Sequence, residues 1–319
     1  MSSSSSPAMA APINEVAALK TAFSLLLIGT VLSSCLIPIL IALFVFSNAS
    51  SRRRPVFWVN IASILLGLAE GGVNIYGVVH NMLSPNIPPL PGLVTALPAL
   101  STLVPFIAEF ALVLRIIAVY PYTTTPRLKF AAILAPTVLC KVLRLAFLIT
   151  FLVKFDAAVQ GSVSSIADGE ALWGIWEPRA VWILECIDNG YVSIVFIQRL
   201  RRKSITSEGV IRPRDALGRM VSQMRALFLI ALSNFVFPVL LDIIILAIAF
   251  HTTSYDATSM VLYVDNYVTI ISVVFATLWT SVSREHGQEE DPQTIALSTI
   301  YGASVPSSNS QRSESGPSP

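Results

Sequence analysis

The sequence predicts an all-α integral membrane protein, a bundle of seven transmembrane helices. The chain has 319 residues, of which 54% are hydrophobic and only 13% charged, whereas soluble domains carry about 25% charged residues. Its mean hydropathy is +0.70. Apolar runs recur that can cross a hydrocarbon core of about 30 Å, which takes about 20 helical residues. Composition and run length together favour a membrane bundle over a soluble domain.

Seven apolar runs are long enough, and each is a predicted span. The first run is too long, and too poor in preceding basic residues, to be a cleaved signal peptide. The second follows a basic triplet and a proline, the third follows a proline-rich stretch, and the fifth is short and contains two acids. The predicted spans are Ala22–Phe46, Val56–Val79, Leu93–Val119, Phe130–Leu152, Ala180–Ile197, Leu227–Phe250 and Met260–Val282.

Both ends of the chain differ from this apolar middle. Residues 1–21 and 284–319 are polar and rich in serine, a composition typical of disordered segments. We therefore expect a disordered N-terminal tail, a transmembrane domain over residues 22–283, and a disordered C-terminal tail.

Basic residues in the loops predict the orientation of the bundle. Three lie in the first loop, two in the third and eight in the fifth, whereas the intervening loops carry mostly acids. Lysine and arginine are enriched in cytoplasmic loops. The sequence therefore places the N-terminus outside and the C-terminus in the cytoplasm.

Several classes of seven-helix protein are disfavoured by missing residues. A retinal protein needs a lysine in its last helix for the Schiff base, but no lysine follows Lys203. A zinc hydrolase needs histidines near one membrane face, whereas His80, His251 and His286 fall on opposite sides of the predicted topology. The polar segments contain no nucleophile elbow, phosphate loop or metal-ligand spacing. We therefore expect no enzyme, cofactor or metal site, and no nucleic-acid partner.

Acidic residues inside the predicted spans indicate a site. An ionisable group in a membrane normally faces protein or water. Counted along the spans, five acids fall in the outer half of the membrane, at one level. Glu109 lies deeper and is expected to pair with Lys141, while an outer acid pairs with Arg144. The five outer acids are Glu70, Glu185, Asp188, Asp242 and Asp265.

The surplus of acids over bases predicts an acidic pocket that opens outward and takes an amine or a guanidinium. Acids without a basic partner must be hydrated, protonated or matched by a ligand. A purely structural role, in which the acids pair internally or are neutral, remains open for each of them. The predicted ligand-binding residues are Glu70, Asn74, Glu185, Asp188, Asp242, Asp265 and Asn266.

The sixth predicted span contains a candidate hinge. Pro238 removes a backbone hydrogen bond, and Asn234, one turn earlier, can satisfy the group that is left free. A ligand bound in the outer half could then tilt the inner half of the span. The alternative is a static kink, because proline is common in spanning helices.

Five segments resemble, in order and spacing, those of the fungal α-factor-type mating pheromone receptors, the class D G-protein-coupled receptors. The chain is similar to a divergent member, because Val274 stands where the family usually has a proline. The segments are SRRRPVFWVNIASILL from residue 51, AEFALVLRIIAVY from residue 108, RLRRK from residue 199, LFLIALSNFVFPVLLDII from residue 227 and VVFATLWTSV from residue 273.

The resemblance implies a plasma-membrane receptor that binds a peptide and couples to a heterotrimeric G protein. Basic residues of the fifth loop would contact the G protein, and they also suit anionic lipid, at about 1 kcal/mol each. These residues are Arg201, Arg202, Lys203, Arg219 and Arg225.

The sequence is compatible with two further interpretations. Small residues at Gly29-x-x-x-Ser33 and Gly67-x-x-x-Gly71 permit close helix approach and hence a homodimer. A proton-coupled or small-solute transporter is the alternative function, because intramembrane carboxylates also form transport paths. Transporters often contain internal repeats, and no repeat is evident in this sequence.

Overall fold

The structure is a computed structural model that describes residues 11–47, 49–84, 87, 91–120, 126–161, 175–207, 236–251 and 255–289. These residues form seven helices and a single helical turn, Ala49–Arg52. The predicted all-α class is confirmed. The helices are α1 (Ala11–Val45), α2 (Pro55–Leu83), α3 (Pro91–Val119), α4 (Arg127–Gly161), α5 (Glu177–Ser207), α6 (Phe237–His251) and α7 (Tyr255–Glu289).

Five of these helices are long and apolar enough to cross a membrane. Within the described residues, α5 is not counted among these five, and the described part of α6 has 15 residues. The seven-span count and the orientation therefore stay predictions. The five segments are Leu19–Val45, Pro55–Leu83, Gly92–Leu114, Arg127–Ala158 and Ala257–Leu278.

The helix ends differ from the predicted domain boundaries. α1 begins at Ala11, so residues 11–21 are helical where a disordered tail was expected. Alanine, glutamate, leucine and lysine are frequent there, and all favour helix outside a membrane as well as inside it. α7 likewise extends to Glu289, past residue 283. Residues 1–10 and 290–319 of the predicted tails lie outside the described residues.

Packing between the helices closes a ring. Each helix contacts the next along the chain, and α7 returns to α1. Across the ring, α7 also contacts α2 and α3, and α3 contacts α5. α3 and α7 thus occupy the middle of the bundle, where side chains from several helices can meet.

The apolar core follows these contacts. Leu36 of α1, Ile64 of α2 and Ile270 of α7 belong to one buried cluster. A second cluster joins α3, α5 and α7 through Leu112, Val192 and Val273. Core packing therefore fixes α7 against both sides of the bundle.

The outer surface is apolar as well. Phe23 and Ile41 of α1, Val142 of α4, Ile243 of α6 and Phe275 of α7 are all at least half exposed. Contiguous apolar surface is unusual on a soluble monomer, but it is what a lipid environment requires. Charged and amide side chains are buried instead, and they define the candidate site.

Candidate functional site

An ion-pair network lies between α3, α4 and α5. Its five members are all buried: Glu109, Lys141, Arg144, Glu185 and Asp188. Lys141 pairs with Glu109, as expected from the sequence, and its Nζ lies 2.9 Å from Asp188 Oδ2. Arg144 Nη1 donates to both oxygens of Glu109, at 2.7 and 2.6 Å. Two bases therefore face three acids, so the network keeps one excess negative charge.

Local sequence spacing explains how the network forms. Lys141 and Arg144 are three residues apart, which places them on one face of α4. On α5, Glu185 and Asp188 have the same spacing. Arg144 Nη2 lies 2.6 Å from Glu185 Oε2, an ion pair without hydrogen-bond alignment. Facing pairs of this kind let α4 and α5 bury charges that would be costly alone.

An acid cluster adjoins the network and consists of Glu185, Asp242 and Asp265, one from each of α5, α6 and α7. One carboxylate oxygen of each lies within 4.8 Å of those of the other two. All three side chains are buried, at 3%, 2% and 2% exposure. Asn189 Nδ2 donates to Asp242 Oδ2 at 3.0 Å. Only Glu185 has a basic partner among the described residues.

A second polar centre, which we call the Glu70 centre, joins α2, α3 and α7. Asn266 Nδ2 donates to Glu70 Oε1 and to the backbone oxygen of Ser101, both at 2.9 Å. One turn away, the hydroxyl of Tyr267 donates to the backbone oxygen of Gly67 at 3.1 Å. Glu70 and Asn266 are fully buried. These bonds tie three helices together.

The two centres lie on different sides of α7. Asp265 belongs to the acid cluster and Asn266 to the Glu70 centre, and consecutive helical residues point about 100° apart. The five acids that were expected to line one pocket are therefore divided between two places in the bundle. Glu70 lies in a helix contact, apart from the cluster that Glu185, Asp242 and Asp265 form.

Glycines make the contacts around the Glu70 centre close. A Cβ atom on Gly71 would lie 2.7 Å from Ser33 Cβ and 2.8 Å from Tyr267 Oη. A Cβ atom on Gly67 would lie 2.6 Å from Ile270 Cδ1. The faces of α1 and α2 that carry small residues therefore pack against other helices of the same chain.

The small-residue motifs that permit a homodimer pack within the chain in this structure, and the homodimer stays a prediction. Gly29 of the first motif lies against Asn74 of α2, since its Cβ position would be 2.6 Å from Asn74 Nδ2. Ser33, Gly67 and Gly71 face one another as described above. The predicted ligand-binding residue Asn74 accordingly lies at the contact with α1.

The seven predicted ligand-binding residues share one property, which is deep burial: each is at most 4% exposed. Glu185, Asp242 and Asp265 meet, and Asp188 adjoins them through Lys141. None of the seven lies on an open surface of the described part of the chain. The acidic pocket that opens outward therefore stays a prediction.

The predicted hinge and coupling residues are described in part. Pro238 is buried and is the second residue of the described part of α6. Asn234 lies outside the described residues, as do Arg219 and Arg225. Arg201, Arg202 and Lys203 lie near the end of α5, which continues to Ser207.

Three contributors were not expected from the sequence. Asn189 bonds to the acid cluster, Ser101 accepts a hydrogen bond from Asn266 at its backbone oxygen, and Tyr267 reaches the backbone of α2. Asn189 follows a predicted acid directly and is a polar residue in a span, which is a usable signal. The role of a backbone oxygen leaves no signal in residue type.

Comparison of the chain with protein-family models, with curated proteins and with solved structures yields no match.

Proposed function

We propose that the protein is a cell-surface receptor that binds a peptide or small cationic ligand and signals through a heterotrimeric G protein. The main observation in support of this proposal is the excess of buried acidic side chains where α5, α6 and α7 meet. Asp242 and Asp265 there have no basic partner among the described residues. A ligand amine or guanidinium supplies the missing positive charge.

The location of the acids suits a switch. One carboxylate comes from each of three helices, so a cation bound between them draws those helices together. Pro238 lies in α6 and cannot donate a backbone hydrogen bond. Ligand binding that favours one arrangement of α6 shifts the population toward it. Movement of α6 then opens the cytoplasmic side of the bundle.

Coupling is the second part of the proposal. α5 ends in a basic segment that includes Arg201, Arg202 and Lys203, and Arg219 and Arg225 follow in the same predicted loop. With the N-terminus outside, this loop faces the cytoplasm of a plasma-membrane protein. The resemblance to class D receptors supports a G-protein α-subunit as partner, and anionic lipid shares the same basic side chains.

The test is agonist-dependent nucleotide exchange on a co-expressed fungal Gα, screened with cationic peptides and small amines. We expect at least one probe to accelerate exchange only in cells that carry this chain. Alanine substitution of Arg201, Arg202 and Lys203 should abolish the response at unchanged surface expression. Absence of exchange with every probe contradicts the proposal.

A transporter is the alternative, and the same buried carboxylates favour it, because proton relays use such groups. Uptake of a labelled solute, measured in the same cells, separates the two functions. Uptake that depends on Asp242 or Asp265, without nucleotide exchange, assigns the chain to the transporters.

A further inference from the structure

The acid cluster has the composition of a site for a hard metal cation. Glu185, Asp242 and Asp265 bring their carboxylate oxygens within 4.8 Å of one another. Ca²⁺ binds oxygen ligands at about 2.3–2.6 Å. Two oxygen ligands on opposite sides of the ion are therefore about 4.6–5.2 Å apart. The observed spacing is compatible with this geometry.

An independent observation points to the same place. Asn189 is only 4% exposed, and its Oδ1 atom finds no hydrogen-bond donor among the described residues. Its Nδ2 atom bonds to Asp242, which places the amide group at the cluster. Buried amide oxygens without a donor are costly, and a cation ligated by Oδ1 removes that cost. Asp265 Oδ1 is likewise buried and without a described partner.

Charge favours a divalent ion over a monovalent one. Glu185, Asp242 and Asp265 carry three negative charges when ionised, and the nearest base, Arg144, contributes one positive charge while also serving Glu109. In addition to Arg144, two positive charges are needed to balance the three carboxylates. A divalent ion supplies both at once.

Ligand type and burial select among divalent ions. Carboxylate and amide oxygens suit Mg²⁺, Ca²⁺ and Mn²⁺, whereas soft metals prefer sulfur and imidazole. Mg²⁺ gives up its water reluctantly and usually keeps several water molecules. The cluster is nearly closed to solvent, and an ion there must lose most of its hydration shell. Ca²⁺ fits this requirement best.

We infer that Glu185, Asp242, Asp265 and the side-chain oxygen of Asn189 form a Ca²⁺-binding site that joins α5, α6 and α7. The site goes beyond the proposed receptor function, although Ca²⁺ and the proposed ligand cation would compete for the same carboxylates. Ion binding itself requires neither an agonist nor a G protein. A bound ion stabilises the folded chain by mass action and holds three helices at fixed separation.

The experiment uses the purified full-length chain in lipid nanodiscs, stripped with a chelator. Thermal unfolding is followed while CaCl2 is raised to about 10 mM, above the weak affinities of extracellular Ca²⁺ modules. Choline chloride at matched ionic strength and MgCl2 are the controls. We expect a Tm that rises and saturates with Ca²⁺, and a smaller rise with Mg²⁺.

Single substitutions test which residues bind the ion. Asp242→Asn and Asp265→Asn should each weaken the apparent Ca²⁺ affinity by about tenfold or more, since affinity follows the number of charged ligands. The matched control is Asp156→Asn, the same change at an exposed acid of α4, which should keep the wild-type response. A wild-type chain without a saturable rise, or an unchanged apparent Ca²⁺ affinity in either cluster variant, overturns the site.

A spectroscopic measurement on the wild-type chain tests the site even if the variants do not fold. Tb³⁺ replaces Ca²⁺ at oxygen sites, and Trp182 lies one turn before Glu185 on α5 and is buried. Wild-type protein should show Trp-sensitised Tb³⁺ emission that Ca²⁺ displaces. Emission that Ca²⁺ does not displace contradicts the site without any variant.

Discussion

The Glu70 centre and the acid cluster are equally buried, yet they differ in how their acids are satisfied. Glu70 receives a hydrogen bond from Asn266, which also bonds to the backbone of α3. Asp265, the preceding residue, meets two further carboxylates and no described base. One side of α7 therefore holds a helix contact, and the other holds unbalanced charge.

Burial alone does not show whether an intramembrane acid has a structural or a binding role. Depth and burial are the same for Glu70 and Asp265, so neither property separates a structural acid from a binding one. The neighbouring groups do: Glu70 faces the amide of Asn266, whereas Asp265 faces two further carboxylates, which together require a proton or a cation. The proposed function is therefore placed on the α5, α6 and α7 side of the bundle.

The largest expected effect comes from breaking the ion-pair network. Arg144→Met leaves Glu109 and Glu185 without their shared guanidinium. Removing one partner of a buried ion pair costs about 3–5 kcal/mol. The free energy of unfolding of the chain in nanodiscs should fall by that amount.

The control for this prediction is a double-mutant cycle with Glu109→Gln. Because the two residues touch, their effects should not add, and the double variant should recover part of the loss. Strict additivity would show that the two side chains do not interact.

A pair of isosteric changes contrasts the two centres directly. Asp265→Asn removes one of three facing carboxylates and, with a chelator present, should raise the free energy of unfolding. Like charges about 4 Å apart repel by about 1–4 kcal/mol near a protein surface or in water. Glu70→Gln keeps its hydrogen-bonding shape and should lower stability by about 1 kcal/mol or less. Thermal unfolding of both variants in parallel gives the signs, and the same sign for both would remove the distinction between the centres.

Close packing around the Glu70 centre predicts a third effect. Gly71→Ala places a methyl group against Ser33 and Tyr267, and overpacking of this kind costs about 1–3 kcal/mol. Gly72→Ala is the matched control, because no atom lies within 4 Å of its Cβ position. Equal stability of the two variants would contradict the close contact between α1, α2 and α7.

The smallest effect is a pH dependence outside the predicted spans. A hydrogen bond from Lys154 holds the pKa of Glu177 below its ordinary value of 4.5. A lowered carboxyl pKa stabilises the folded state above pH 4.5, and this stabilisation is lost as the pH falls through the lower folded value. Lys154 is half exposed, so the contribution is small. Comparison of wild type with Lys154→Met at pH 7 and below pH 4 should show a difference that shrinks in acid, and a pH-independent difference would rule this pair out.

The sequence allowed the class of the fold to be predicted, because apolar run length and composition are properties of residue type alone. The depth of Glu109 in its predicted span indicated Lys141 as a partner, and the structure contains this ion pair. The separation of Glu70 from Asp265 could not be predicted, because it depends on how α7 is rotated in the bundle. Rotation is set by side-chain packing among α1, α2, α3 and α6, which no single span encodes.

The most direct test of the receptor account compares agonist potency at the two centres. Nucleotide exchange on the co-expressed Gα is titrated with the most active cationic probe for wild type, Asp265→Asn and Glu70→Gln at matched surface expression. We expect Asp265→Asn to raise the half-maximal concentration about tenfold or more, a loss of about 1.4 kcal/mol of binding, and Glu70→Gln to leave it unchanged. Equal potency of Asp265→Asn and wild type would contradict a ligand site at the acid cluster.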